Sequence, residues 1–253
     1  MDVLSVVLFG IVVLATHFME GITGFGCTVL ALPFCIALAG INVAVPVLIV
    51  LAWLLCFYIV VIDFKKIIWK EYIKIISFVI LGLPIGMWLF TSMPEKVLKT
   101  MLGVFMIVVA LRGLYISYGS KHEKTNANND MNKMTKVKKY LLNVLLFLGG
   151  IMHGAFSSGG PFVVIYASLA LPDKSNFRAT LCAMWVTLNL IMIFNNIRTG
   201  VMAGPVLDLI FWTLPFLAAG TLLGNYAHNN IKGETFIKLV YIVLLLSGIF
   251  MLK

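Results

Sequence analysis

The chain has 253 residues, 61% hydrophobic and 11% charged, with a mean hydropathy of +1.04. That balance excludes an ordinary water-soluble domain and points to an all-α, polytopic integral membrane protein. The net charge of +9 is concentrated in two stretches, Lys65 to Lys74 and Lys121 to Lys139; it reads as a signal that holds short loops in the cytoplasm, not as the basic face of a nucleic-acid-binding module.

From the N-terminus, Met1-Asp2 leads straight into apolar residues without a basic region or a small-residue cleavage motif, so no cleaved signal peptide is expected. Apolar runs follow at 3–19, 27–40, 43–62, 75–92 and 97–118. A continuous helix over residues 3–40 would be ~57 Å long against a hydrocarbon core of ~30 Å. The first block must therefore break or fold back, and the break falls at Glu20-Gly21-Ile22-Thr23-Gly24-Phe25-Gly26. Residues 120–138 form a polar segment read as a cytoplasmic linker. Beyond it the runs resume at 140–155, 161–171, 177–197, 206–227 and 235–252, with a second break at His153-Gly154-Ala155-Phe156-Ser157-Ser158-Gly159-Gly160-Pro161.

The two sides of the linker carry one pattern twice. Gly21 and Gly26 match Gly154 and Gly159 at an offset of 133, Gly82 and Gly86 match Gly220 and Gly224 at an offset of 138, and Pro94–Lys99 resembles Gly233–Lys238. The expected organisation is a first transmembrane repeat at 1–119, the linker at 120–138 and a second repeat at 139–253. Each repeat has about four apolar segments, the first of them broken or re-entrant at a glycine-rich tip. An internal repeat of this kind points to transporters, whose substrate sites lie at the repeat interface. If each first block is a hairpin, the halves are inverted; a single broken crossing makes them parallel. Lys174, Arg178, Lys232 and Lys238, set against Arg198 and Lys253, favour inversion. The pairs Gly82/Gly86 and Gly220/Gly224 read as sites of close helix packing.

Both breaks look like helix beginnings, where unpaired backbone N–H groups and the positive end of the helix dipole favour an anion. The candidate substrate residues are Thr23, Gly24, Phe25, Gly26, Cys27 and Thr28 in the first cluster, and Ser157, Ser158, Gly159, Gly160 and Pro161 in the second. Glycine lets a ligand approach the backbone, and the hydroxyls donate without adding fixed charge. Packing glycines with hydroxyls bonded back to their own helices are the bland alternative. Glu20, with His153 at the matching position, is a candidate for proton coupling, and His17 shares the helix face of Glu20 and could pair with it. Asn189, Asn195, Asn196 and Asn225 suit either cavity lining or interhelical bonding. Cys27, Cys35, Cys56 and Cys182 suggest neither a disulfide framework nor a zinc site. No metal or cofactor is expected.

With these motifs in place, the chain resembles the sulfite exporter TauE/SafE family of membrane transporters over nearly its whole length. The family's duplicated Gly-x-x-Gly-x-Gly motif followed by small residues and proline is matched by Gly21-Ile22-Thr23-Gly24-Phe25-Gly26 with Pro33 downstream, and by Gly154 through Pro161. Cys27-Thr28 stands where the family often continues with glycine, and Ser157 where a glycine is frequent; both departures bear on substrate identity. The resemblance implies an anion carrier whose substrates are sulfite, sulfonates or other organosulfur anions. No P-loop is present, so the expectation is gradient-driven transport of a small anion across a bacterial cytoplasmic membrane. The partners are then that anion and the lipid bilayer, with no nucleic acid. Direction of transport and homo-oligomer formation are left open. A membrane-embedded thiol oxidoreductase or hydrolase, and a scaffold without substrate, are the competing classes.

Overall fold

The computed structural model describes residues 2–119, 135–171 and 173–230, with isolated positions between 241 and 252. Most of the expected linker, Lys232, Lys238, Lys253 and most of the last apolar run lie outside the described residues. Those described form helices and no strand: α1 (Val3–Thr23), α2 (Cys27–Ala39), α3 (Ile41–Asp63), a 3-10 turn (Phe64–Lys66), α4 (Trp69–Ser92), α5 (Glu95–Gly119), α6 (Lys136–Phe156), α7 (Gly160–Ala170), α8 (Lys174–Arg198) and α9 (Pro205–Asn230). Seven of them are long and apolar enough to cross a bilayer, while α2 and α7 are short apolar helices.

Helices α1 and α6 end, and α2 and α7 begin, within the two glycine-bearing clusters. Helix α1 stops because Gly24 turns left-handed at φ 81° and returns its N–H to the Glu20 carbonyl at 2.6 Å, an ending that glycine makes cheap. Helix α6 stops in the same way at Ser157, φ 52°, whose N–H reaches the His153 carbonyl at 2.7 Å. Gly26, at φ 103°, precedes α2, and Pro161 sits in the first turn of α7, where a missing N–H is harmless.

Two long crossings organise the bundle, and each is made by backbone meeting backbone. A methyl group on Gly21 would lie 2.9 Å from the Gly224 Cα, and one on Gly220 would lie 2.6 Å from the Leu14 carbonyl; α1 and α9 therefore run side by side in the same direction. Gly82 and Gly86 of α4 meet Gly150, Ile151 and Gly154 of α6 in the same manner. These are the close approaches that small residues permit between helices in lipid, and they match the packing role expected for both glycine pairs. Helix α3 packs on α8 in the opposite sense. Asp63 at the end of α3 reaches Arg178 near the start of α8, while Asn42 and Asn195, from their other ends, line one hollow.

The polarity of the bundle is inside out relative to a soluble protein. Trp88, Phe194, Phe211, Trp212 and Tyr226 are exposed, whereas His17, Glu20, Asp63, His153, Arg178, Asn189 and His228 are buried. An outer surface this apolar is the surface of a protein solvated by lipid.

Candidate functional site

A cavity of about 20 Å3 lies where the two glycine clusters approach each other, lined by Glu20, Gly26 and Thr28 from the first and by His153, Ser157, Ser158 and Gly160 from the second. Helices α3 and α8 complete it with Ala52, Trp185 and Asn189, and Val29 of α2 adds one wall. Its volume is that of roughly one water.

Glu20 is buried, and its carboxylate takes two donors, the Cys27 N–H at 2.7 Å and the Cys56 thiol at 3.3 Å. The first amide of α2 is thus capped by a side chain from seven residues earlier, which satisfies one of the donors that every helix start leaves open. Across the cavity, His153 Nε2 donates to the Asn189 Oδ1 at 3.1 Å, and the Ser157 hydroxyl donates to the same oxygen at 3.0 Å. The imidazole stacks on the Trp185 ring at 5.0 Å between centroids, and the Trp185 indole N–H reaches across to the Gly24 carbonyl at 3.0 Å. That indole ties the two tips together.

The 133-residue offset relates these pairs. It carries Glu20 to His153, Cys56 to Asn189 and Ala52 to Trp185, so the contact of Glu20 with Cys56 recurs, with different chemistry, as that of His153 with Asn189. One side of the cavity holds a carboxylate and a thiol; the other holds an imidazole, an amide and a hydroxyl. His153 Nδ1 has no hydrogen-bond partner among the described residues. Since His153 and Ser157 both donate to Asn189, the imidazole is not placed as the base for that hydroxyl.

Several candidates sit elsewhere. Thr23 turns its hydroxyl to the Met19 and Phe25 carbonyls at 3.0 and 2.8 Å, and Gly24, Phe25, Cys27, Gly159 and Pro161 do not line the cavity. His17 does not pair with Glu20: its Nδ1 donates to the Val13 carbonyl at 2.9 Å, an acceptor one turn back on its own helix. Asn189, read as suiting cavity lining or interhelical bonding, does both; Trp185 escaped sequence reading as a site residue, although its spacing of four from Asn189 puts the two on one helix face.

Ser157 is the one non-glycine residue with positive φ among those described, at the position where the first copy uses Gly24. A left-handed serine costs about 1 kcal/mol, and here its hydroxyl serves the cavity. Ser157→Ala keeps the strain and loses the bond, while Ser157→Gly loses both. The glycine variant is therefore expected to be the more stable by about 1 kcal/mol, checked by thermal unfolding in detergent.

The sequence profile of the sulfite exporter TauE/SafE family matches residues 8–251. Comparison with curated proteins and with solved structures gives no match. The profile spans both glycine tips and every helix that lines the cavity, and the chain belongs to the sulfite exporter TauE/SafE family of membrane transporters.

Proposed function

We propose that this protein is a gradient-driven carrier of a small oxyanion, a sulfite-like or sulfonate group, which binds between the two glycine tips. The observation that carries this reading is the convergence of both clusters on one buried cavity bearing hydroxyls, an imidazole and the start of α7. Those groups offer donors to an anion in a place that lipid could not solvate.

The halves act as inverted repeats. Helix α1 begins beside the start of α9, whose Pro205 and Val206 share a hollow with Pro46 near the start of α3, and α2 ends directly before α3. The α1–α2 pair thus starts and finishes at one face, as a re-entrant hairpin does. Helices α6 and α7 start and finish at the other face: α6 runs with α4, α7 leads into α8, and the Tyr166 hydroxyl of α7 donates to the Glu71 carboxylate at the start of α4 at 2.6 Å. Lys65, Lys66, Lys70, Lys136, Lys138, Lys139 and Lys174 gather at that second face, which supports its being cytoplasmic in a bacterial inner membrane.

Glu20 and His153 serve as the proton carriers. A sulfite-like anion is larger than the one-water cavity of this conformation, so loading requires the tips to part; the anion then meets the Glu20 carboxylate at close range, where two negative charges repel strongly. Protonation of Glu20 removes the repulsion. Liposomes holding the purified protein and loaded with labelled sulfite, sulfonate or sulfate, with and without a pH gradient, test the reading. Flux of at least one of these anions, with a proton moving alongside, is expected. Glu20→Gln combined with His153→Gln should abolish the accompanying proton movement, followed with a pH dye. Absence of protein-dependent flux for all three anions under either condition would remove the carrier assignment.

A further inference from the structure

The two faces of the bundle are closed by different means. At the face bearing Lys65 and Lys66, Arg178 is buried and forks between two acceptors: its Nη2 pairs with the Asp63 carboxylate, and its Nη1 donates to the Gly21 carbonyl at 2.8 Å. Asp63 also holds Lys66 at 2.8 Å. One residue on, the Ile22 carbonyl accepts from His228 Nδ1 at 2.6 Å, and His228 receives the Ser175 hydroxyl at 3.4 Å on its other nitrogen. The Lys174 ammonium bonds the His228 carbonyl. The last carbonyls of α1, which a helix end leaves without intrahelical donors, are thus gripped by side chains from α8 and α9.

The opposite face carries a hollow of about 420 Å3. The repeat offsets show what stands there in place of the grip. An offset of 133 takes Arg178 to Val45, Asp63 to Asn196, Gly21 to Gly154, Ile22 to Ala155 and Ser175 to Asn42, and an offset of 138 takes His228 to Phe90. All six counterparts line the hollow. One half of the pseudo-symmetric pair is plugged by an ionic cluster; the other, built from valine, alanine, glycine, phenylalanine and two asparagines, stays open down to the last turn of α6. That turn places Gly154 and Ala155 on the hollow and His153 and Ser157 on the cavity.

We propose that Arg178 and Asp63 form a one-sided latch: their pair holds the α1 tip against α8 and α3 and shuts the face that bears Lys65 and Lys66. The conformation described here is closed at that face and open at the other, and opening inward requires Arg178 to release Gly21. Arg178 is a positioning residue, acting through the tip and without touching the substrate. This rests on the carrier reading for its purpose but not for its test.

Cys182 lies one turn beyond Arg178 on α8, fully buried and beside Cys56, and so reports on the shut mouth. Full-length protein in right-side-out and inverted vesicles is treated with a membrane-impermeant maleimide, and modification at Cys182 is read by mass spectrometry. In Arg178→Gln, which leaves Asp63 paired with Lys66, labelling of Cys182 from the Lys65 face is expected to rise about tenfold, with no change from the opposite face. Combining Asp63→Arg with Arg178→Asp re-forms the ion pair but leaves the Gly21 carbonyl without its donor, so labelling should stay raised. If the glutamine variant does not fold, Arg178→Lys, which retains the charge but lacks the fork that reaches Gly21, should show the same rise. Unchanged labelling in a folded variant, or an equal rise from both faces, would overturn the latch. Labelling that shifts as expected in a protein that carries no anion would instead leave the latch standing and remove its role in transport.

Discussion

Asn189→Asp is expected to lower anion flux by about three orders of magnitude while leaving the fold intact. The side chains are nearly identical in shape, and the oxygen that accepts from both His153 and Ser157 is retained. What changes is the charge on the cavity wall. A carboxylate roughly 4 Å from a bound anion repels it by about 4 kcal/mol at an effective dielectric of 20, and that energy corresponds to about a thousandfold in occupancy. Equilibrium binding of labelled sulfite, measured beside thermal unfolding, separates the two effects. An aspartate variant that binds as well as the parent chain would mean that the anion sits elsewhere.

Gly160→Val is expected to reduce flux about a hundredfold by filling the cavity. A Cβ at Gly160 would meet Phe25 at 3.6 Å and Trp185 at 3.8 Å, ordinary contacts, and the position is helical, so the backbone accepts a side chain there. The added methyl groups then project into a space of about 20 Å3 that a ligand must share. Overpacking by that much costs about 2–3 kcal/mol, which falls on the loaded state. Gly159→Val makes the contrast. Its Cβ would strike the Gly149 carbonyl and lie 2.9 Å from the His153 Cβ, so loss of folded protein is the outcome there. Gly26 differs again: open space surrounds it, yet its φ of 103° strains any other residue. Monodispersity on a sizing column, read alongside flux in liposomes, sorts the variants.

The breaks in α1 and α6 were legible because glycine runs inside apolar blocks have few other uses, and the length of residues 3–40 forbids an unbroken helix. The packing glycines were legible for the same reason, through their spacing of four. What sequence could not reveal was which helix start was already occupied. Helix capping rules look to the adjacent serine or threonine, so Thr23 and Thr28 read as donors; the Cys27 amide is instead satisfied by Glu20, and Thr23 bonds its own turn. Asn189 and Trp185 gained their roles only when α8 was brought against both tips. In sequence Arg178 reads as a charge that fixes orientation, and it lies at the lysine-rich face. Its burial in an ion pair depends on Asp63, 115 residues away in sequence, a partnership that no local pattern announces.

The swapped glycine seams carry a consequence for biogenesis. Helix α1 finds its backbone partner in Gly224 of α9, and α6 finds its own in α4, so neither half can bury its leading hairpin by itself. During synthesis the N-terminal segment leaves the translocon some two hundred residues ahead of the surface it is shaped to meet. Until then Glu20 and the amides beside it need temporary shelter, from water, lipid headgroups or an insertion factor. A chain stopped after the linker should therefore be a substrate for membrane quality control, and supplying the missing half as a separate polypeptide should rescue it.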